Sequence, residues 1–135
     1  GIRNHNPGNI RRDDVNGRQG TRWQGLAPAE QQTDTAFWIF TAPEWGIRAI
    51  VRTLYSYVAQ GRVTVSAIIS RWAPSTENDT ASYIQAVAHD VGVGQDTPLN
   101  LQGPQLAALV EAIIRHENGV QPYSAETIAK AIALA

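Results

Sequence analysis

From residue 41 to the end of the chain, apolar side chains recur at spacings of three and four. No other feature of the sequence limits the fold as much, because that period is the buried stripe of an amphipathic helix. In TAPEWGIRAIVRTLYSYVAQG the residues Trp45, Ala49, Ile50, Leu54, Tyr57 and Val58 fall on one such stripe. Thr41 and Glu44 have the spacing of a capping box, Pro43 suits the first helical turn and Gly61 suits the stop. A short helix is expected over residues 65–72, closed by Pro74. Ile84, Val87, Ala88 and Val91 then share a face behind Asp79, a candidate N-cap. Pro104 opens, and Asn118-Gly119 closes, a helix whose stripe is Leu106, Leu109, Val110, Ile113 and Ile114. A last helix is expected from about residue 124 to 134.

The first 34 residues follow no such period. NPGN at 6–9 and VNGRQG at 15–20 are turn signals. Residues 10–12 and 21–23 read as short strands flanking the second turn, residues 26–34 as a loop, and TAFWIF at 35–40 as a further strand. The expected architecture is α+β and mainly helical, with a small N-terminal β lobe, in a single domain spanning residues 1–135.

A chain of 135 residues with 43% hydrophobic and 17% charged residues can bury a core. Eleven basic and twelve acidic residues give a net charge of -1. A general nucleic-acid binder carries a basic excess, so no nucleic-acid partner is expected. Lys130 is the only lysine; the arginine excess suits planar, bidentate contacts and equally fits a GC-rich coding sequence. The chain has no cysteine, which excludes a disulfide scaffold, thiolate metal ligation and a thiol nucleophile. Its apolar runs are too short to span a bilayer, so no membrane insertion is expected. It opens at Gly1 and contains no Met, and reads as a monomeric domain excised from a larger protein or as a chain that lost its initiator.

Glu117 is the acidic residue whose position is hardest to explain by structure alone. It ends an apolar helix just before the Asn-Gly stop. The last carbonyls of a helix and partial burial both disfavour a charged carboxyl there, and that is the condition a general acid needs. The alternative is a surface Glu relieved by Arg115 or His116. Glu44 is the second candidate acid; as a capping-box residue it suits a base or an electrostatic stabiliser better than an acid. His5, His89 and His116 have no metal-ligand spacing, so no metal and no cofactor are expected. A G-x-S-x-G elbow and a phosphate-binding loop are both absent. The tryptophans and tyrosines stand beside Asn4, Asn6, Asn9, Gln24 and many Arg. Flat rings and amides suit sugars, although Trp38, Trp45 and Tyr57 are expected in the core. Trp72, at a helix end before Ala73-Pro74, is expected to border a cleft.

Several motifs then converge. HENG at 116–119, followed by Pro122, Tyr123 and Ser124, resembles the Glu-Ser-Gly motif of lytic transglycosylases and goose-type lysozymes. NPGNIR at 6–11, WQG at 23–25 and FWIFTAPEWGIRA at 37–49 resemble, in order, the motifs of bacterial cell-wall glucosaminidases. RWAPSTENDTASYIQAV at 71–87 resembles the later segment of both families, where a Tyr, here Tyr83, lies beside the catalytic Glu. Over nearly its whole length the chain resembles phage-borne peptidoglycan-degrading domains that open with GIRNxNPGNIR and close with IIxxENGxxPY.

The resemblance implies a lysozyme-like fold. The Glu-bearing helix follows the Asn-rich motif here and precedes it in the relatives, which implies a circular permutation; neighbouring domain termini permit one. It further implies cleavage of the β-1,4 bond between N-acetylmuramic acid and N-acetylglucosamine by Glu117. Glu44 is the second candidate acid. Asn6, Asn9, Tyr83, Trp72 and Tyr123 are implied at the glycan. The expected partner is a bacterial peptidoglycan strand, met in the periplasm from a phage virion or an infected host. Lytic transglycosylase chemistry leads; a hydrolytic muramidase or glucosaminidase, and a non-catalytic glycan-binding or structural module of a phage particle, remain as alternatives.

Overall fold

The computed structural model describes all of residues Gly1–Ala135. It is mainly helical, with five α-helices: α1 (Pro43–Ala59), α2 (Val65–Trp72), α3 (Thr80–Val91), α4 (Pro104–Asn118) and α5 (Ala125–Leu134). Two single 3-10 turns, Ile2–Asn4 and Ala29–Gln31, lie in the N-terminal region. The chain divides into two compact units. The first comprises Gly1–Val51 and Pro122–Ala135, and the second Arg52–Gln121.

The helix ends follow local chemistry. The Thr64 hydroxyl accepts from Ala67 N at 3.1 Å and starts α2. The Asp79 carboxylate accepts from Ser82 N at 3.2 Å and starts α3. The Ser124 hydroxyl accepts from Thr127 N at 3.1 Å and starts α5. Each satisfies one of the amides a helix leaves unpaired at its N-terminus. Gly92 and Gly119 end α3 and α4 at φ 80° and 76°, a left-handed conformation glycine adopts at no steric cost. The capping box expected at α1 is not formed. The helix begins at Pro43, and the Thr41 hydroxyl donates instead to the Gly25 carbonyl at 3.1 Å.

In the second unit α3 packs against both α2 and α4. The loop after α3 folds back on the start of α2: Ser66 N donates to Gln95 O at 2.9 Å, and Leu99 N to Val63 O at 2.8 Å. The buried residues of α4 are the expected five, Leu106, Leu109, Val110, Ile113 and Ile114, together with Ala112. The buried set of α3 is Tyr83, Val87 and Ala88. Its face is therefore turned from the expected stripe, with the Tyr83 phenol inside and Ile84 and Val91 half-buried.

The N-terminal region corrects the expectation of a β lobe. No strand forms; only the isolated bridges Arg11–Phe37 and Leu26–Phe40 occur. Residues 10–12 meet residues 36–38, and not residues 21–23, through Arg12 N to Ala36 O at 2.8 Å and Trp38 N to Ile10 O at 3.1 Å. Side chains take the backbone groups a ladder would use. The Gln32 amide accepts from Ile39 N and donates to Ala27 O and Ile39 O. The Arg12 guanidinium donates to Gln32 O and Asp34 O. Asp34 accepts from Ala36 N and Phe37 N. The segments read as strands form no ladder: a ladder needs a partner strand, and here amides and a guanidinium are the partners.

Trp38, Phe40 and Ala49 form the nucleus of this unit, with Ile10, Trp23, Leu26 and Trp45 packed against it. Asn6 is the only polar residue wholly removed from water. Its amide donates to Ile10 O at 3.0 Å and Trp38 O at 2.9 Å, and accepts from Ile10 N at 2.9 Å. Gly46 lets α1 approach this loop, since a Cβ there would be driven into the His5 carbonyl oxygen.

Two predictions follow from this scaffold of side chains. Both Asn6 donors face carbonyls, so Asn6→Asp should destabilise at least as much as Asn6→Ala, by about 3 kcal/mol in urea unfolding, because each leaves buried carbonyls unpaired; a near-neutral Asn6→Asp would contradict the bonding described. Asp34 is held below its ordinary 3.8 chiefly by the Ala36 and Phe37 amides, then by Asn4. The unfolded chain therefore takes up this proton first as pH falls. The contribution of Asp34 is complete above pH 3.8 and is lost as pH drops through the lower folded-state value. Asp34→Asn should flatten the acid limb of the stability profile below about pH 4, measured by chemical denaturation across pH.

Candidate functional site

Glu117 lies in the last turn of α4, half-buried, one residue before Asn118 completes the helix. The last carbonyls are occupied locally: Asn118 Nδ2 donates to Ile114 O at 2.9 Å and Gly119 N to Arg115 O at 2.7 Å. Arg115, expected as a possible relief for Glu117, instead pairs with Asp90 at 2.9 Å.

The partner of Glu117 comes from α3. Tyr83 is 1% exposed, and its hydroxyl donates to Glu117 Oε2 at 2.8 Å. The site is therefore a carboxylate held by a buried phenol across two packed helices. Burial, the Glu117 charge and this hydrogen bond all push the Tyr83 hydroxyl far above its ordinary value; the nearby Trp72 indole opposes them. Trp72 thus meets the site from the end of α2.

His116 was expected only as a possible relief for Glu117, and its contact with Tyr83 was not foreseen. Its imidazole stacks on the Tyr83 ring, with centroids 3.8 Å apart and an interplanar angle of 30°. Asp79, at the start of α3, is close enough for the His116 charge to help hold its carboxyl low, after the Ser82 amide and hydroxyl. Residues 33 apart in the chain and on different helices leave no periodic signal, and the adjacent Glu117 drew attention to itself alone.

The remaining expected site residues lie in the first unit. Asn6 is a correction: its amide is wholly buried and spent on backbone groups, so it braces the loop and presents nothing to a glycan. Asn9 takes a left-handed conformation at φ 51° in the same turn, and its Oδ1 accepts from the Gly1 amine at 2.6 Å. Glu44 stands half-buried in the first turn of α1. Tyr123 is half-buried just before the Ser124 cap, and burial raises its hydroxyl. No group of three or more His, Asp or Glu converges as metal ligands would. No helix is long and apolar enough to cross a membrane.

A carboxylate anchored by a buried tyrosine at a helix terminus can transfer a proton or accept hydrogen bonds from a polar ligand; the chain matches no family model. Comparison with individual proteins places it in a family of phage proteins. The chain is 40% identical over 131 residues to Protein P5 of Pseudoalteromonas phage PM2, an alignment covering 96% of this chain and 78% of that protein. The chain belongs to the family of that bacteriophage protein.

The state of Tyr83 is directly measurable. In an alkaline titration followed at the phenolate absorbance band, Tyr83 should stay un-ionised above pH 10 until the chain unfolds. Tyr83→Phe should then remove none of the absorbance change that precedes unfolding. An early loss of one tyrosine's signal in that variant would show that the phenol is not enclosed.

Proposed function

We propose that the protein is a peptidoglycan-degrading enzyme of lysozyme-like type, circularly permuted, cleaving the β-1,4 bond between N-acetylmuramic acid and N-acetylglucosamine. The observation that carries this reading is the 2.8 Å bond from Tyr83 to Glu117, which fixes a half-buried carboxyl at the end of α4. The motif order described above and the kinship with a phage protein support it.

Glu117 donates its proton to the glycosidic oxygen as the bond to C1 breaks. Oε2 already accepts from Tyr83, so the transferred proton belongs on Oε1. The hydroxyl of Tyr83 then stabilises the carboxylate that remains, a charge-assisted hydrogen bond. In the lytic transglycosylase route, the carboxylate takes the proton of the sugar's own 6-hydroxyl as that oxygen bonds to C1. The product is a 1,6-anhydro end, and no water is consumed. The hydrolytic alternative employs a second carboxylate to direct water or to attack C1. The Trp72 ring, at the end of α2, is offered to the sugars. The enzyme acts on the periplasmic cell wall, from the virion or from within the infected host.

Glu117→Gln should lower lysis of sacculi by about 10²–10⁴-fold, the range for loss of a general acid, without unfolding the chain. Mass spectrometry of the digest separates the chemistries: an anhydro end supports the lyase, and a product heavier by one water supports a muramidase or glucosaminidase. Full lysis by Glu117→Gln would remove this residue from the mechanism. Glycan binding without cleavage by the parent protein would make it a binding or structural module.

A further inference from the structure

We infer that His116 is a positioning residue of the Glu117 site, a ring that clamps Tyr83 so that its hydroxyl stays on the carboxylate. The inference rests on the reading of Glu117 as proton donor. Its evidence is the geometry around one phenol. Tyr83 is held at two places: Glu117 at the hydroxyl and His116 on the ring face. The first acts on the hydroxyl alone and leaves the ring free to tilt about its own axis. A stacked ring 3.8 Å away removes that freedom and covers the ring face from water, since the outer side of His116 is exposed to solvent.

The local chain makes the arrangement efficient. His116 and Glu117 are consecutive on α4 and so project in directions about 100° apart. One side chain flanks α3 and packs on the phenol ring, while the next meets the phenol hydroxyl. A single turn of helix therefore grips one side chain at its face and at its tip. Any movement of α3 relative to this turn is felt by both contacts together. Catalytic geometry of this kind is sensitive, because misplacement by about 1 Å can cost on the order of a hundredfold in rate.

The imidazole also carries charge when protonated, and Asp79 on α3 is close enough to feel it. Ring packing and charge make different predictions, and a phenylalanine separates them. Phenylalanine keeps a flat face and has no charge; alanine keeps neither.

The test uses the whole chain in wild-type, H116F, H116A, Y83F and doubly substituted H116A/Y83F forms, with thermal unfolding confirming that each is folded. Two readouts are taken: kcat and KM on sacculi, and the carbon-13 titration curve of the Glu117 carboxyl, identified by its absence in E117Q. H116A should lower kcat by roughly ten- to a hundredfold with KM nearly unchanged, and its titration curve should move onto that of Y83F. H116F should follow the wild type in both. H116A/Y83F should be no worse than Y83F, because the two residues act through one contact. A wild-type titration curve for H116A, an H116F protein that behaves like H116A, or additive losses in the double variant would each overturn the inference. Should the wild type cleave no glycan, the proposed activity falls, and the titration curves still decide the role of His116.

Discussion

A phenol placed in an apolar core must find an acceptor for its proton, or the fold bears the cost of an unpaired buried donor, about 1–3 kcal/mol. Tyr83 is such a phenol, 1% exposed, and its acceptor is Glu117 Oε2. This requirement organises the second unit. It sets the rotation of α3, which turns Tyr83 inward with Val87 and Ala88. It sets the register of α3 against α4, because the hydroxyl must meet the last turn of α4 and no other.

The contact places two opposed influences on the carboxyl. The end of a helix and partial burial disfavour the anion. A donated hydrogen bond favours it. The sequence argument contained only the first influence, which follows from position along one helix. The second belongs to a residue 34 positions away on another helix.

What could be read in advance was local. Asp79 and Gly119 act within one turn of their own position, and the cap and the stop formed where expected. The apolar stripe of α4 was legible for the same reason. The stripe of α3 was misread because Tyr83 counts as polar at its tip and apolar over its ring, and only its acceptor decides which end governs. The N-terminal region was misread because extended backbone does not specify its partner. TAFWIF is extended, but its hydrogen bonds go largely to the side chains of Gln32, Asp34 and Asn6, besides two short backbone bridges. Asn6 was taken for a sugar ligand because an amide suits a sugar and a peptide group equally well. Its burial decides for the peptide group.

That same ambiguity explains why Glu117 and Asn6, both singled out from the sequence, carry different weight in the folded chain. Asn6 fulfils every local rule: a buried amide with its donors and its acceptor matched to backbone groups, leaving nothing for function to explain. Glu117 breaks one. It is the acidic residue in a last turn whose other charged members, Arg115 and His116, are the basic ones that the helix dipole favours. Neither relieves it by an ion pair: Arg115 goes to Asp90, and His116 turns its ring to Tyr83. A folding requirement alone would be met as well by glutamine, which can accept the Tyr83 proton without placing charge at the negative end of a helix. Glutamine cannot deliver a proton of its own. Departures from local consistency concentrate where a residue serves chemistry and not stability, and in the second unit the departure lies at the carboxyl that Tyr83 holds.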